Sequence, residues 1–381
     1  MSASVTIVGG GYAGTTIARA LDATLEVCLV EAKDTFFHSV AALRGLTQAD
    51  WAQRIFLDYD GLLERGRVVH DRAVRVDSGG VLTASGRRLT ADFIILATGS
   101  SYPFPAKMDA DDARAARAQI SGTRADLAQA RRVLLIGAGP VGVELAGEIL
   151  EVWPDKRVTL LDALPDILSG RYLPELRAEI RAQLQSAGVR LVLGSPLLNG
   201  PTTQAGHLAP VEVGTADGAV IDADIWFQCY GVRPTSDYLA GDLAPARRPD
   251  GQIDVDRQLR VLGHPNVFAI GDVTALAESK RVPIARDQAE VAAANITAVA
   301  AGRAADAVYQ PRPELVILPF GSTGGASQIR DDNGEVVVVG AERTSQLKGQ
   351  DLLLGQFVGL FSSARTAADA GSTPHFTVNA P

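Results

Sequence analysis

Short apolar runs punctuated by glycine recur along the chain, and several lead into segments with helical spacing. Val5 to Val8 runs into Gly9-Gly10-Gly11-Tyr12-Ala13-Gly14 and then TTIARAL, which predicts strand, tight turn and helix. A second apolar run, LEVCLVE, ends in Glu31 and opens the mixed stretch EAKDTFFHSVAALRG. The same order returns later. Val133 to Ile136 is followed by Gly137-Ala138-Gly139-Pro140-Val141-Gly142, a helix-like VELAGEI, and a strand RVTLLD that ends in Asp162.

Two other strands end differently. Phe93 to Leu96 leads into Ala97-Thr98-Gly99 and the prolines Pro103 and Pro105, and ADIWFQCYG leads into Gly231 and Arg233-Pro234. Small residues after a strand allow a ligand close to the backbone, and the prolines mark crossovers, so these passages predict the exit and return of an inserted domain. Val267 to Ile270 then ends in Gly271-Asp272, and a long Ala-rich helix opens near Pro283. The fold class expected is α/β: two Rossmann-like dinucleotide-binding domains, the second inserted in the first, plus a smaller C-terminal α+β domain. The boundaries expected are 1–105 with 253–311 for the first, 106–252 for the second and 312–381 for the third.

The glycine spacing carries chemistry. Gly9, Gly11 and Gly14, like Gly137, Gly139 and Gly142, fit G-x-G-x-x-G: a tight turn, close approach to a pyrophosphate, and helix-on-strand packing. The helix N-terminus adds N–H donors and a positive dipole end for phosphate. Glu31 lies twenty-two residues after Gly9 and Asp162 twenty-five after Gly137, where an acid is expected to bond a ribose hydroxyl. Asp162 would repel a 2′-phosphate, which favours NADH over NADPH, with Arg171 nearby as a possible counterweight. Asp272, at the end of a strand, suits a sugar or ribitol hydroxyl, with a helix N-cap as the plainer alternative. Two complete units imply electron passage between two nucleotides.

Composition narrows the class. The 381 residues are 46% hydrophobic and 21% charged, enough for a sizeable core, and the formal charge of −8 argues against a nucleic-acid partner. The only two cysteines, Cys28 and Cys229, sit in apolar runs and form no C-x-x-C pair, so neither a dithiol site nor a metal cluster is expected. The five histidines lack metal-ligand spacing, so no metal is expected. The start MSASVTIVGG has no signal-peptide pattern, and no run reaches the ~18 apolar residues of a spanning helix. A cytoplasmic protein is expected, with peripheral membrane contact left open. That contact, a core helix or a dimer contact are the readings of the apolar LLLGQFVGLFSSA near the C-terminus; the protein is taken as a monomer or homodimer.

With these residues in place, the chain resembles the two-dinucleotide-binding-domain flavoproteins, the pyridine nucleotide–disulfide oxidoreductase superfamily. VEAKDTFFHSVAALRG, GPVGVELAGEI, HPNVFAIGDV and LPFGSTGGASQI are most similar to its apoptosis-inducing-factor-like branch, and within that to the group of ferroptosis suppressor protein 1. The resemblance implies FAD on the first fingerprint, NADH (or NADPH) on the second, and a quinone-like small molecule as acceptor. Ser2 stands where members of that group carry a myristoylated glycine, so lipid anchoring is not implied.

The flavin site implied comprises Gly9, Gly10, Gly11, Tyr12, Ala13, Gly14, Glu31, Ala32, Ala97, Thr98, Gly99, Asp272 and Pro283. Lys33 is a candidate on the adenosine side, Arg44 on the pyrophosphate, and Val74 offers backbone to adenine by the superfamily's pattern. The nicotinamide nucleotide falls to Gly137, Gly139, Pro140, Val141, Gly142, Asp162 and Gly231. Glu144 is the candidate for orienting the nicotinamide amide, and His38 for assisting quinone protonation; packing is the plainer reading of His38. Disulfide reductases of the superfamily carry their redox cysteines in the region around Phe37, His38 and Val40, where this chain has none. A ferredoxin or rubredoxin reductase and a slow-turnover NADH sensor are the competing readings.

Overall fold

The computed structural model describes residues 2–361; the end of the apolar tail (362–364) and His375 lie outside them. From the N-terminus the first layer is built from β1 (Ser4–Val8), α1 (Tyr12–Leu21), β2 (Glu26–Glu31), β3 (Arg67–His70) and β4 (Phe93–Leu96). The chain then makes β5 (Arg132–Ile136), α2 (Pro140–Val152), β6 (Arg157–Leu161), β7 (Arg190–Val192) and β8 (Ile225–Gln228). It returns with β9 (Val267–Ala269) and α3 (Val282–Ala300), and closes with β10 (Val316–Phe320), β11 (Gly324–Arg330) and β12 (Val336–Val339).

The first sheet is parallel in the order β9-β4-β1-β2-β3, with Val5 opposite both Val27 and Phe93. Successive strand residues point to opposite faces. Ile7, Ile95 and Phe268 meet α1 and α3 through Ile17, Leu21, Ala289 and Ile296. Val8, Ile94 and Leu96 meet the antiparallel segment that carries Val76 and Val81. Burial on both faces explains why these strands read as unbroken apolar runs.

The second sheet, β7-β6-β5-β8, is also parallel and repeats the plan. Leu135, Leu160 and Phe227 pack on α2 and on the helix Pro174–Ser186, and the same core takes Val316 and Leu318 of the C-terminal sheet. The leaving segment Ser100–Ser101 pairs antiparallel with the returning Arg233–Pro234, so the insertion is stitched at its neck. β10, β11 and β12 form an antiparallel sheet against α2.

Four residues of the tail's apolar segment are core, while Val358 is exposed. Leu352 and Leu354 join Trp51, Ile55 and Phe56, while Leu353 and Phe357 join the core under α1. Among the described residues, no helix is long and apolar enough to cross a membrane.

Candidate active site

The two glycine turns are geometric duplicates. Gly9 has φ +103° and Gly137 φ +114°, and a Cβ at either would sit 2.6 Å from Ala97 O or 2.7 Å from Cys229 O, the residues just past β4 and β8. A Cβ on Gly14 would lie 1.8 Å from Gly9 O, and one on Gly142 2.0 Å from Gly137 O. At the middle glycines, Gly11 and Gly139, an added Cβ meets nothing within 4 Å, and these residues cap α1 and α2. The middle glycine of each turn therefore faces open space at a helix N-terminus, where a pyrophosphate can approach the backbone.

The acids repeat as well. Glu31 accepts from Gly10 N through Oε2 and from Lys33 N through Oε1 (2.9 Å). Asp162 accepts from Ala138 N (2.7 Å) and Leu164 N (2.9 Å). In each unit the carboxylate joins the second residue of the turn to the backbone two residues past the acid. It is thus locked before a ribose arrives, with acceptor capacity to spare for a hydroxyl.

One cleft of about 1280 Å³ runs between the two units and the C-terminal sheet. The flavin candidates Gly9, Gly10, Gly11, Tyr12 and Ala13 line it, as do Glu31, Ala32 and Lys33, then Ala97, Thr98 and Gly99, and Asp272 and Pro283. Gly14 lies behind them, in the contact between turn and helix. Lys33 Nζ is 3.8 Å from Asp111, a loose and partly exposed pair. Tyr59, which no local sequence signal singled out, donates its hydroxyl to Gly10 O (2.8 Å) from inside the cleft. Asp272 Oδ2 accepts from Ser100 Oγ (2.6 Å) and lies 3.4 Å from Lys107 Nζ. The backbone of Gly271 donates to the fully buried Gln288 (2.7 Å), which fixes the turn from below.

From the second unit, Pro140, Val141 and Glu144 reach this cleft. Glu144 Oε1 meets Lys348 Nζ at 2.7 Å, both side chains being mostly buried. Lys348 comes from 204 residues away, so no local pattern could have paired them. Opposite, Arg281 Nη2 donates to Tyr172 Oη (2.6 Å) and Glu314 Oε1 (3.1 Å), joining the three parts of the chain at the mouth.

Four expectations are corrected. Arg44 is not in the lining of the cleft: its side chain is 2% exposed and bonded to Glu148 (2.8 Å) and Gly349 O (2.7 Å), so no donor faces a pyrophosphate. His38 is wholly buried, with Nδ1 3.1 Å from Tyr12 Oη and Nε2 2.8 Å from Leu352 O. Both ring nitrogens are committed, and burial pushes its pKa down to about 4, so it is a neutral structural histidine rather than a proton donor to a substrate. Val74 is exposed and Ala73, its neighbour, faces the cleft; pleating places adjacent residues on opposite sides. At the second crossover Val232, not Gly231, reaches the cleft, and Gly137, Gly139, Gly142 and Asp162 are likewise absent from its lining. Tyr12, whose hydroxyl also accepts from Val40 N (3.1 Å), is pushed up to about 12 by burial and stays protonated.

Both cysteines are buried and neither lines the cleft; burial alone pushes the Cys229 thiol up to about 12. Where the chain passes the cleft after Glu31 it presents Phe36, Phe37, Ser39 and Val40.

Comparison with known proteins agrees with this geometry. The family model "Pyridine nucleotide-disulphide oxidoreductase" matches residues 3–294. The ferroptosis suppressor protein 1 of Homo sapiens is 31% identical over 85% of this chain and 88% of its own length. Apoptosis-inducing factor homolog B of Dictyostelium discoideum is 27% identical over 95% and 97%. Among solved structures, the sulfide:quinone oxidoreductase of Aquifex aeolicus superposes with a TM-score of 0.73 at 16% identity, covering 97% of this chain and 94% of that one, a likeness of fold. The chain belongs to the pyridine nucleotide-disulphide oxidoreductase family, in its apoptosis-inducing-factor-like branch, and is an FAD-dependent oxidoreductase of pyridine nucleotides.

Proposed function

We propose that the protein is an NADH:quinone oxidoreductase that passes electrons to a small lipophilic acceptor. The observation that carries this reading is the cleft itself: the first nucleotide cradle and the N-terminal turn of α2 face one space, to which the C-terminal part adds an apolar patch and which no cysteine lines. A dithiol cannot relay electrons there, so on this reading the acceptor meets the flavin in the cleft. Val316, Ile317, Leu347 and Leu353 supply an apolar patch, beside Arg312, Glu314, Arg330 and Lys348, against which a quinone ring can pack.

On this reading residues 1–105 and 253–311 hold FAD, 106–252 hold NADH, and the C-terminal part faces the acceptor. When bound, FAD supplies the two-electron chemistry, accepting from the nicotinamide and donating to the quinone. The chain's work is placement. Glu31 and Asp162 orient the two riboses, the N-termini of α1 and α2 neutralise pyrophosphate, and Asp272 takes a ribityl hydroxyl. Glu144, steadied by Lys348, accepts from the nicotinamide carboxamide.

The deciding experiment is an NADH-oxidation screen of the purified protein, with its flavin extracted and identified. Fast turnover with short-chain quinones is expected. Activity only with an added ferredoxin, or slow oxidation with a persistent long-wavelength band, would overturn the acceptor assignment. Nucleotide preference is a separate expectation. Asp162 faces a 2′-phosphate with like charge, so kcat/KM for NADH should exceed that for NADPH by about tenfold or more, ~1.4 kcal/mol in the transition state. Asp162→Ala should narrow that ratio; a wild-type preference for NADPH would show the assignment wrong.

A further inference from the structure

Asp272 is held in an unusual way for an acid at the rim of a cleft. Its two oxygens are unequal. Oδ2 accepts from Ser100 Oγ (2.6 Å) and from Lys107 Nζ (3.4 Å). Oδ1 takes no hydrogen bond among the described residues, and Asp272 lines the cleft.

Lys107 is spent entirely on this corner. Its ammonium donates to Ser100 O (2.5 Å), to Ser100 Oγ (2.7 Å) and to Asp272 Oδ2, which uses all three protons. Ser100 is itself fixed by strand pairing with Pro234. The lysine therefore grips a carboxylate and the seryl group that bonds it, and both anchors sit on rigid backbone. Both side chains keep some exposure, 31% for Lys107 and 21% for Asp272, so the pair faces the ligand space rather than the core. A second cation, Lys280, is held nearby by Thr274 O (2.8 Å) and Leu276 O (3.1 Å) and does not bond the carboxylate.

We propose that Lys107 is a positioning residue for the flavin, holding Oδ2 of Asp272 so that Oδ1 is turned to a hydroxyl of the ribityl chain. This rests on the assignment of Asp272 to FAD. Lys107 lies on the exit segment toward the inserted domain, two residues beyond Pro105, while Asp272 lies on the return. The same linker that carries the chain across thus completes the cofactor corner. Without the lysine, a carboxylate with one hydroxyl partner is free to rotate and must desolvate alone when FAD binds.

The test is FAD titration of the full-length apoprotein, followed by quenching of flavin fluorescence. Lys107→Ala should raise the Kd about tenfold or more, the scale of losing a charged hydrogen bond. Lys107→Arg should fall between wild type and Lys107→Ala, because it keeps the charge but not three donors at one point. In an Asp272→Asn background Lys107→Ala should change the Kd less than about twofold, since coupled residues are non-additive. Apoprotein melting should be unchanged throughout. An unaltered Kd in Lys107→Ala, or an equal loss in both backgrounds, overturns the lysine's role. An Asp272→Asn protein that binds FAD like wild type overturns instead the assignment on which it rests.

Discussion

Gly14→Ala is expected to yield a protein without bound flavin, whereas Gly142→Ala keeps its yellow colour and loses reduction by NADH. The two substitutions add the same single carbon at equivalent places. In the first, the carbon falls 1.8 Å from Gly9 O and 2.9 Å from Gly9 C; in the second it falls 2.0 Å from Gly137 O. These obstacles are backbone, so no side chain can swing aside. The helix must back away from its strand, at a cost of about 1–3 kcal/mol or more for overpacking. The displacement also opens the turn that the Gly9 and Gly137 conformations close, and moves the helix N-terminus from where a pyrophosphate would sit. Because each fault stays within one unit, the pair assigns the cradles independently. Flavin content by absorbance and anaerobic reduction by NADH read them out. If Gly142→Ala emptied the flavin site while Gly14→Ala left it filled, the assignment of the two cofactors would be reversed.

The parts of the site that repeat in sequence are the parts that could be read there. Each strand, glycine turn, helix, strand and acid lies within about thirty residues, and local chemistry fixes all of them: positive φ at the first glycine, contact at the third, and an acid reaching back to the turn. What stayed hidden joins distant segments. Lys348 meets Glu144 and Lys107 meets Asp272 only because the insertion and the C-terminal segment bring them together. Arg44 and His38 misled for the opposite reason. A charged or titratable residue in a loop next to a nucleotide turn suggests a ligand contact, yet both side chains point inward and bond backbone carbonyls of the C-terminal segment. Val74 missed by a single residue, the error that a period of two produces when the face of a short strand is not known.

Arg44→Met is expected to destabilise the protein by about 3–5 kcal/mol, the scale of orphaning one member of a buried ion pair. Arg44 bonds Glu148 through both Nε (2.9 Å) and Nη2 (2.8 Å), and its third nitrogen donates to Gly349 O (2.7 Å) and Gln350 O (3.3 Å). The side chains are 2% and 4% exposed. One guanidinium therefore ties a helix of the first unit to α2 of the second and to the C-terminal segment. Methionine fills the space but leaves a carboxylate and two carbonyls without donors. Burial raises the Glu148 pKa, and Arg44 is what opposes that rise. In the variant the opposition is gone, so folded Glu148 holds its proton to a higher pH than unfolded Glu148. Stability then falls as pH rises through that interval, because the native state binds more protons than the unfolded one. Urea unfolding at pH 5.5 and pH 8 should thus show a smaller deficit at the lower pH. Adding Glu148→Met should recover much of the loss, since an apolar pair replaces a buried charge without a partner. A single variant that unfolds like wild type at both pH values would show that this junction is not what holds the two nucleotide units together.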